Sequence, residues 1–310
     1  MLLAAQPTTN VSFLIDSYHK LPTPIRRGIR KIISSKNGVI APAQKYFYPR
    51  LAKAQSLLVA RESRNRCWCG GHLMAFEWHP SYGVCAICGT YVNKIPPAQS
   101  GLEKFYSLGN YWHARQALKT LPTIGDRAGL YRSDGRLQQW LDLIEKYGPA
   151  TGHIIEIGCA PGVLLTELSA RGYSCTGVEI SNDVAQWMRK TTGLDIRSGF
   201  FPGVELPRCD LFLAFDVLEH SPCPVEFLKN AAEHLLPNGV AIIQTAIDRY
   251  DYKPPFGIRF DMFDDLEHLF LFTDQAITAL AKEAGLEVVS LDEGLWLGGE
   301  ACILRKRTKS

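Results

Sequence analysis

The chain predicts an α/β protein built on a doubly wound sheet, and three observations carry that expectation. From about residue 135 onward, short apolar segments alternate with amphipathic ones. One apolar segment, Ile154-Ile155-Glu156-Ile157, runs straight into a Gly-rich turn, Gly158-Cys159-Ala160-Pro161-Gly162, that opens a helical pattern. The composition also leaves few other classes open. With 310 residues, 46% of them hydrophobic and 21% charged, the chain can fill one large or two modest cores without disulfide staples. It is too apolar for wholesale disorder, and its 26 Gly and 18 Pro follow no collagen period.

Taken in order, strands are expected at His153–Ile157, Ser174–Glu179, Asp210–Phe215 and Val240–Thr245, with later ones at Leu286–Leu291 and Ala301–Arg305. Helices are expected at Gly135–Tyr147, where Leu137, Trp140, Leu141 and Ile144 share one face, and at Gly162–Arg171, Asn182–Thr192, Pro224–Leu236 and Thr273–Ala284. No apolar run approaches the roughly 20 residues of a membrane helix. Met1–Asn10 has neither a basic region nor a long apolar core, so a cytoplasmic location is expected.

The first 134 residues follow other rules. The formal net charge of +3 conceals an asymmetry: residues 1–70 hold twelve Lys and Arg against Asp16 and Glu62, a balance of +10 that leaves −7 for the rest. Within a basic helical arm, residues 1–65, Ile25, Ile29, Ile32 and Ile33 fall on one helical face with bases on the other. Residues 20–36 suit packing on the body of the protein, peripheral contact with an anionic membrane surface, or a polyanion.

Four of the nine cysteines then fall in one window, Cys67-Trp68-Cys69-Gly70-Gly71 and Cys85-Ala86-Ile87-Cys88-Gly89. Two such knuckles, fifteen residues apart, supply four soft ligands and predict a structural Zn²⁺ ribbon over residues 66–98. The other five, Cys159, Cys175, Cys209, Cys223 and Cys302, sit among apolar neighbours and read as small core residues. Ile95-Pro96-Pro97 ends the ribbon, and residues 99–134, with Tyr106, Tyr111 and Trp112, read as an aromatic linker or cap.

The turn at Gly158 alone is weak evidence of function, because dinucleotide-binding folds use a near relative. Two acids discriminate: Glu156, two residues before the first Gly, and Glu179, which ends the next strand in Gly177-Val178-Glu179-Ile180-Ser181. Together with Asp216-Val217-Leu218-Glu219-His220, Leu235-Leu236-Pro237-Asn238-Gly239-Val240 and Glu267-His268-Leu269-Phe270-Leu271-Phe272-Thr273, they give residues 135–310 a specific pattern. That region resembles the class I S-adenosylmethionine-dependent methyltransferases, in the branch similar to ubiquinone-biosynthesis O-methyltransferases. The cysteine window before it looks like a subgroup with a knuckle domain ahead of the core.

The resemblance implies a Rossmann-like seven-stranded sheet and S-adenosyl-L-methionine as methyl donor. It places Glu156 at the donor's amino group and Gly158, Ala160 and Gly162 where the backbone meets amino acid and ribose. Glu179 would take the ribose hydroxyls, Ile180 and Phe200 the adenine, and Phe215, Asp216 and Val217 the floor beneath the methyl group. His220 and His268, each beside a glutamate (Glu219, Glu267), are the candidate bases, because imidazole can take a proton near neutral pH. The expected acceptor is a small molecule or glycan-type group, with O-methylation favoured, and the aromatic insertion Tyr250–Gly257 is a candidate acceptor wall. An RNA-binding methyltransferase or a nucleic-acid binder is disfavoured, since no N-P-P-Y type motif follows the fourth strand. An NAD oxidoreductase is disfavoured by Glu156.

Overall fold

A computed structural model describes residues 59–77, 79–116, 121–247, 263–292 and 300–306. Nearly all of the basic arm and the insertion at 250–257 lie outside the described residues.

A seven-stranded sheet forms the centre. Its strands, in chain order, are β4 (His153–Ile157), β5 (Ser174–Glu179), β6 (Asp195–Ser198), β7 (Cys209–Phe215), β8 (Leu235–Thr245), β10 (Leu286–Asp292) and β11 (Glu300–Lys306). The spatial order is β10-β11-β8-β7-β4-β5-β6. β6, β5, β4, β7 and β8 run parallel, and β11 is antiparallel to both of its neighbours. Parallel strands need helices on both faces, which explains why β4 and β7 are apolar at consecutive positions. Side chains alternate accordingly. Ile154, Leu211 and Leu213 enter one core with Trp140, Leu141, Leu164, Leu165 and Met188, from the helices α3 (Arg136–Tyr147), α4 (Val163–Ala170) and α5 (Asn182–Thr192). Ile155, Phe212 and Ala214 enter the other with Phe227, Leu228, Ile277 and Leu280, from α6 (Pro224–His234) and α7 (Asp274–Glu283).

The seven-stranded doubly wound sheet is therefore as the resemblance implies; most ends of the expected elements differ by one or two residues, and β6 is a strand for which the sequence suggests no bounds. The larger difference is at β8. The sequence ends a helix at Leu236 and starts a strand at Val240, whereas Leu235 already pairs with Cys209 and the ladder resumes only at Val240 opposite Leu211. Leu236-Pro237-Asn238-Gly239 is an excursion between those two pairs, turned by Asn238 at φ +67°.

A second sheet has the order β1 (Leu73–Ala75), β2 (Tyr82–Cys85), β3 (Tyr91–Asn93), β9 (Phe270–Leu271). Its first three strands carry the cysteine window; the fourth comes from the Glu267–Thr273 motif, with Tyr91 opposite Leu271 and Val92 opposite Phe270. Thr273 strengthens the join: its hydroxyl oxygen accepts from the Ala276 amide to cap α7 and donates to the Cys88 carbonyl at 2.9 Å. Cys67, Cys85, Cys88 and Val92 consequently lie in the same core as Phe270 and Phe272. The aromatic stretch folds as α1 (Gln99–Phe105), a wide π-type helix over Leu108–Arg115, and α2 (Ile124–Ser133); Trp112, Ile124 and Tyr131 join the core that holds Trp140 and Leu141 of α3.

Candidate active site

β4 lies between β5 and β7, so the crossovers on either side of it leave in opposite directions and open a crevice at the strands' carboxyl ends. A cavity of about 1050 Å³ occupies that position. Gly158 opens it. Its φ of +69° is left-handed, and a Cβ there would meet Val217 Cγ2 at 2.5 Å, so the turn needs glycine both for conformation and for room.

Three acids end three adjacent strands around this crevice. Glu156 is buried and its Oε2 has no hydrogen-bond partner; burial pushes the carboxyl up to about 8. Glu179 is also buried, which pushes it up to about 7 against amide hydrogen bonds, one of them from Ser181 at 3.1 Å. Asp216 takes φ +56°, rare for a residue with a side chain, and burial with the nearby Glu219 raises it to about 6. Its Oδ1 accepts from Gln244 Nε2 at 2.8 Å, and Gln244 Oε1 in turn accepts from Trp140 Nε1 at 2.8 Å. Desolvated carboxyl groups at one crevice fit a ligand that brings a cationic amine and hydroxyl donors.

The two histidines come together. The rings of His220 and His268 lie 4.9 Å apart, and His220 Nδ1 stands 2.5 Å from the backbone carbonyl of Glu267. Glu219 is buried and accepts from Thr245 Oγ1 at 2.8 Å. The Glu267 carboxylate is bound by Arg115 Nε, and the Tyr111 hydroxyl donates to it at 3.4 Å. Arg115 also pairs with Asp264 through Nη2. Burial alone would lower the Arg115 guanidinium; the carboxylates of Glu267 and Asp264 outweigh that and raise it. Glu267 therefore offers its carbonyl to His220 and its side chain to Arg115.

Glu156, Gly158, Ala160, Glu179, Ile180, Phe200, Phe215, Asp216, Val217, His220, Glu267 and His268 all line the cavity. Gly162 does not; it precedes α4 and faces Met188 and Thr192. The same cavity is also lined by Arg115, Gln116, Arg127, Tyr131 and Arg136, which the sequence motifs do not single out. A signal was available: within 127–140 two arginines recur at helical spacing from Tyr131 and Trp140, and Arg136 stacks 4.0 Å from the Tyr131 ring.

The cysteine window also converges. Cys69 Sγ lies 3.5 Å from both Cys85 Sγ and Cys88 Sγ, and Cys67 Sγ is 3.6 Å from Cys88 Sγ. The Ile87 amide donates to Cys85 Sγ at 3.4 Å, and a Cβ on Gly71 would meet that sulfur at 2.5 Å, so glycine admits the backbone beside it. Four sulfurs so placed are a donor set that fits a tetrahedral soft cation.

Comparison with known proteins agrees with this geometry. A family model described as "Methyltransferase domain" matches residues 130–291. The ubiquinone biosynthesis O-methyltransferase of Rickettsia canadensis (strain McKiel) is 32% identical over 98 residues, 30% of this chain and 42% of that protein. The mitochondrial ubiquinone biosynthesis O-methyltransferase of Schizosaccharomyces pombe is 31% identical over 101 residues, 30% of this chain and 37% of that protein. The chain thus matches less than half the length of these curated relatives. Among solved structures, a chain from the complex of the Haloferax volcanii Trm112 methyltransferase activator with a methyltransferase aligns with a TM-score of 0.50. At 13% identity over 60% of this chain and 95% of that one, it shows the shared fold. With the family model spanning more than half of its 310 residues, the protein belongs to the methyltransferase domain family.

Proposed function

We propose that the protein transfers the methyl group of S-adenosyl-L-methionine to a hydroxyl of a small-molecule or glycan-type acceptor. The observation that carries this reading is the pair Glu156 and Glu179, desolvated carboxyls on neighbouring parallel strands flanking the left-handed Gly158 turn. In it, the unpartnered Oε2 of Glu156 receives the donor's amino group and Glu179 receives the ribose hydroxyls. Ala160 and the Gly158 backbone approach the amino acid, Ile180 and Phe200 flank the adenine, and Phe215, Asp216 and Val217 line the floor below the methyl group. The donor supplies a carbon already activated by its sulfonium, so the protein's task is alignment and removal of the acceptor's proton.

His220 takes that proton at Nε2 while the Glu267 carbonyl holds Nδ1–H, and His268 stacks beside it. Glu267 acts through its carbonyl and its Arg115 pair, which together fix the segment carrying His268. Cys67, Cys69, Cys85 and Cys88 hold a structural Zn²⁺ that fastens the small sheet. The reading keeps the protein in the reducing cytoplasm, and residues 20–36 meet an anionic membrane surface there; sedimentation with anionic and neutral vesicles tests that contact.

The test of the function is incubation of fractionated lysate metabolites with radiolabelled methyl donor and either wild type or His220→Gln, with labelled products identified by mass. A labelled, base-stable methyl ether formed by wild type supports the reading. Label found only in nucleic acid overturns it and favours an RNA-binding methyltransferase, and label in no product overturns it and favours a non-enzymatic nucleic-acid binder.

A further inference from the structure

The segment that carries the Glu267 carbonyl and His268 is gripped from outside the region that matches the methyltransferase family. That match covers residues 130–291, which include His220 and residues 264–269. Donors of the small sheet fasten residues 264–269 from the other side. Tyr82 of β2 directs its hydroxyl at two carbonyl oxygens, His268 at 2.6 Å and Asp264 at 3.2 Å. Asn93 faces Tyr82 in register on β3. Its Nδ2 donates to the Asp265 carbonyl at 3.1 Å and its backbone amide to the Leu269 carbonyl at 3.0 Å. Ser81 Oγ adds a bond to the Asp265 carboxylate at 3.1 Å. Tyr82 and Asn93 are both fully buried, and burial pushes the Tyr82 phenol well above its ordinary value, so it stays a donor.

These contacts bracket one peptide unit. The Glu267–His268 peptide presents the carbonyl that meets His220 Nδ1 at 2.5 Å, and its N–H donates to the Asp264 carbonyl at 3.0 Å. In a planar trans peptide the C=O and N–H point opposite ways, so holding the N–H on Asp264 aims the carbonyl at His220. Tyr82 holds both flanks of that unit, the oxygen that receives its N–H and the next carbonyl along the chain. Arg115 binds the Glu267 side chain, not the peptide. Tyr82 lies outside the cavity lining, so it acts on the ring only through this segment.

We infer that Tyr82, with Asn93 beside it, is a positioning residue that fixes His220 with hydrogen on Nδ1 and leaves Nε2 free to accept a proton. The inference rests on the reading of His220 as the base and assigns the cysteine-bearing sheet a part in preparing it. An imidazole free in water favours hydrogen on Nε2, the form that has no acceptor there, so the protein must impose the other one. The small sheet supplies the rigidity for that: a cross-strand pair of buried donors places the carbonyl more precisely than an unsupported loop does.

The test reads the ring directly and needs no acceptor. The full chain, labelled with nitrogen-15 at histidine, reports the His220 tautomer in long-range nitrogen–proton spectra at about pH 8.5, where ordinary imidazoles are neutral. His220→Gln assigns the signal. Wild type is expected to hold hydrogen on Nδ1. Tyr82→Phe keeps the edge-on ring contacts with Phe263 and His79 and removes only the donor, so it should move His220 to a mixture dominated by the Nε2–H form. Asn93→Ala should move it the same way by less. Thr273→Val is the control: it cuts another tie of the small sheet, to the Cys88 carbonyl, and should lower the melting temperature while leaving the tautomer as in wild type. Hydrogen on Nε2 in wild type, a wild-type spectrum in Tyr82→Phe, or the same shift in Thr273→Val overturns the inference. Unfolding of both Tyr82→Phe and Asn93→Ala also overturns it, because the donors then serve stability alone. Full turnover by His220→Gln instead removes the base reading and leaves the measured tautomer standing.

Discussion

His220 Nδ1 stands 2.5 Å from the backbone carbonyl oxygen of Glu267. A carbonyl only accepts, so Nδ1 carries the hydrogen and the neutral ring presents Nε2 as its acceptor. The tautomer is thereby set by the main chain of the segment that also carries His268. His220→Gln is expected to lower kcat by about 10²-fold or more while leaving donor affinity unchanged. His268→Gln should cost less. Single-turnover methyl transfer checks both, and full turnover in both variants rejects a histidine base.

Glu156 gives the pH dependence. Its carboxyl is raised by burial from 4.5 to about 8, so the unfolded chain releases this proton well before the fold does. The ligand-free protein therefore loses stability as pH rises through that window, and Glu156→Gln should flatten the loss. Binding has the opposite sign, because the donor's ammonium needs the ionised carboxylate: stabilisation by S-adenosylhomocysteine should grow from about pH 6 to 7.5. Thermal melts of both proteins at the two pH values, with and without ligand, read both effects.

Trp140, Gln244 and Asp216 form one chain of hydrogen bonds under the cavity. Trp140→Phe keeps a ring against Phe215, whose centroid is 4.7 Å away, but strips the buried Gln244 Oε1 of its donor. Urea unfolding should show a loss of about 1–3 kcal/mol, and a change well below that range contradicts the assignment.

Cys67, Cys85 and Cys88 share a core with Phe270 and Phe272, so metal removal should be felt beyond the small sheet. About one equivalent of zinc per chain is expected by elemental analysis. Stripping it with a strong chelator should lower the melting temperature of the whole cooperative transition, not of a separate minor one. A metal-free preparation with an unchanged melt contradicts this account.

Much of this was legible from residue order, for identifiable reasons. β4 and β5 are short, apolar and bounded by turns, so their ends were read where the structure has them. Glu156 and Glu179 stood out because a carboxylate beside a Gly turn and one at a strand end break an apolar pattern. β9 was not legible: two residues, Phe270 and Leu271, continue an apolar run and show their role only through pairing with Val92 and Tyr91. The partner of the Glu267 side chain is not legible for a similar reason. Adjacency to His268 suggested a Glu-His pair, whereas its partner, Arg115, lies 152 positions away. Long-range ion pairs leave no mark on local periodicity. The burial of Arg115, Arg127 and Arg136 is not legible either, because single arginines on helices are ordinarily solvated and only tertiary packing buries these three.

The central claim is that the strand-end acids hold a methyl donor. Calorimetric titration of the full chain with S-adenosylhomocysteine, and separately with NADH, tests it most directly. One equivalent of S-adenosylhomocysteine should bind, NADH should give no binding heat, and Glu179→Ala should weaken the former by about tenfold or more. Binding of NADH without S-adenosylhomocysteine, or a Glu179→Ala variant that binds like wild type, contradicts the account.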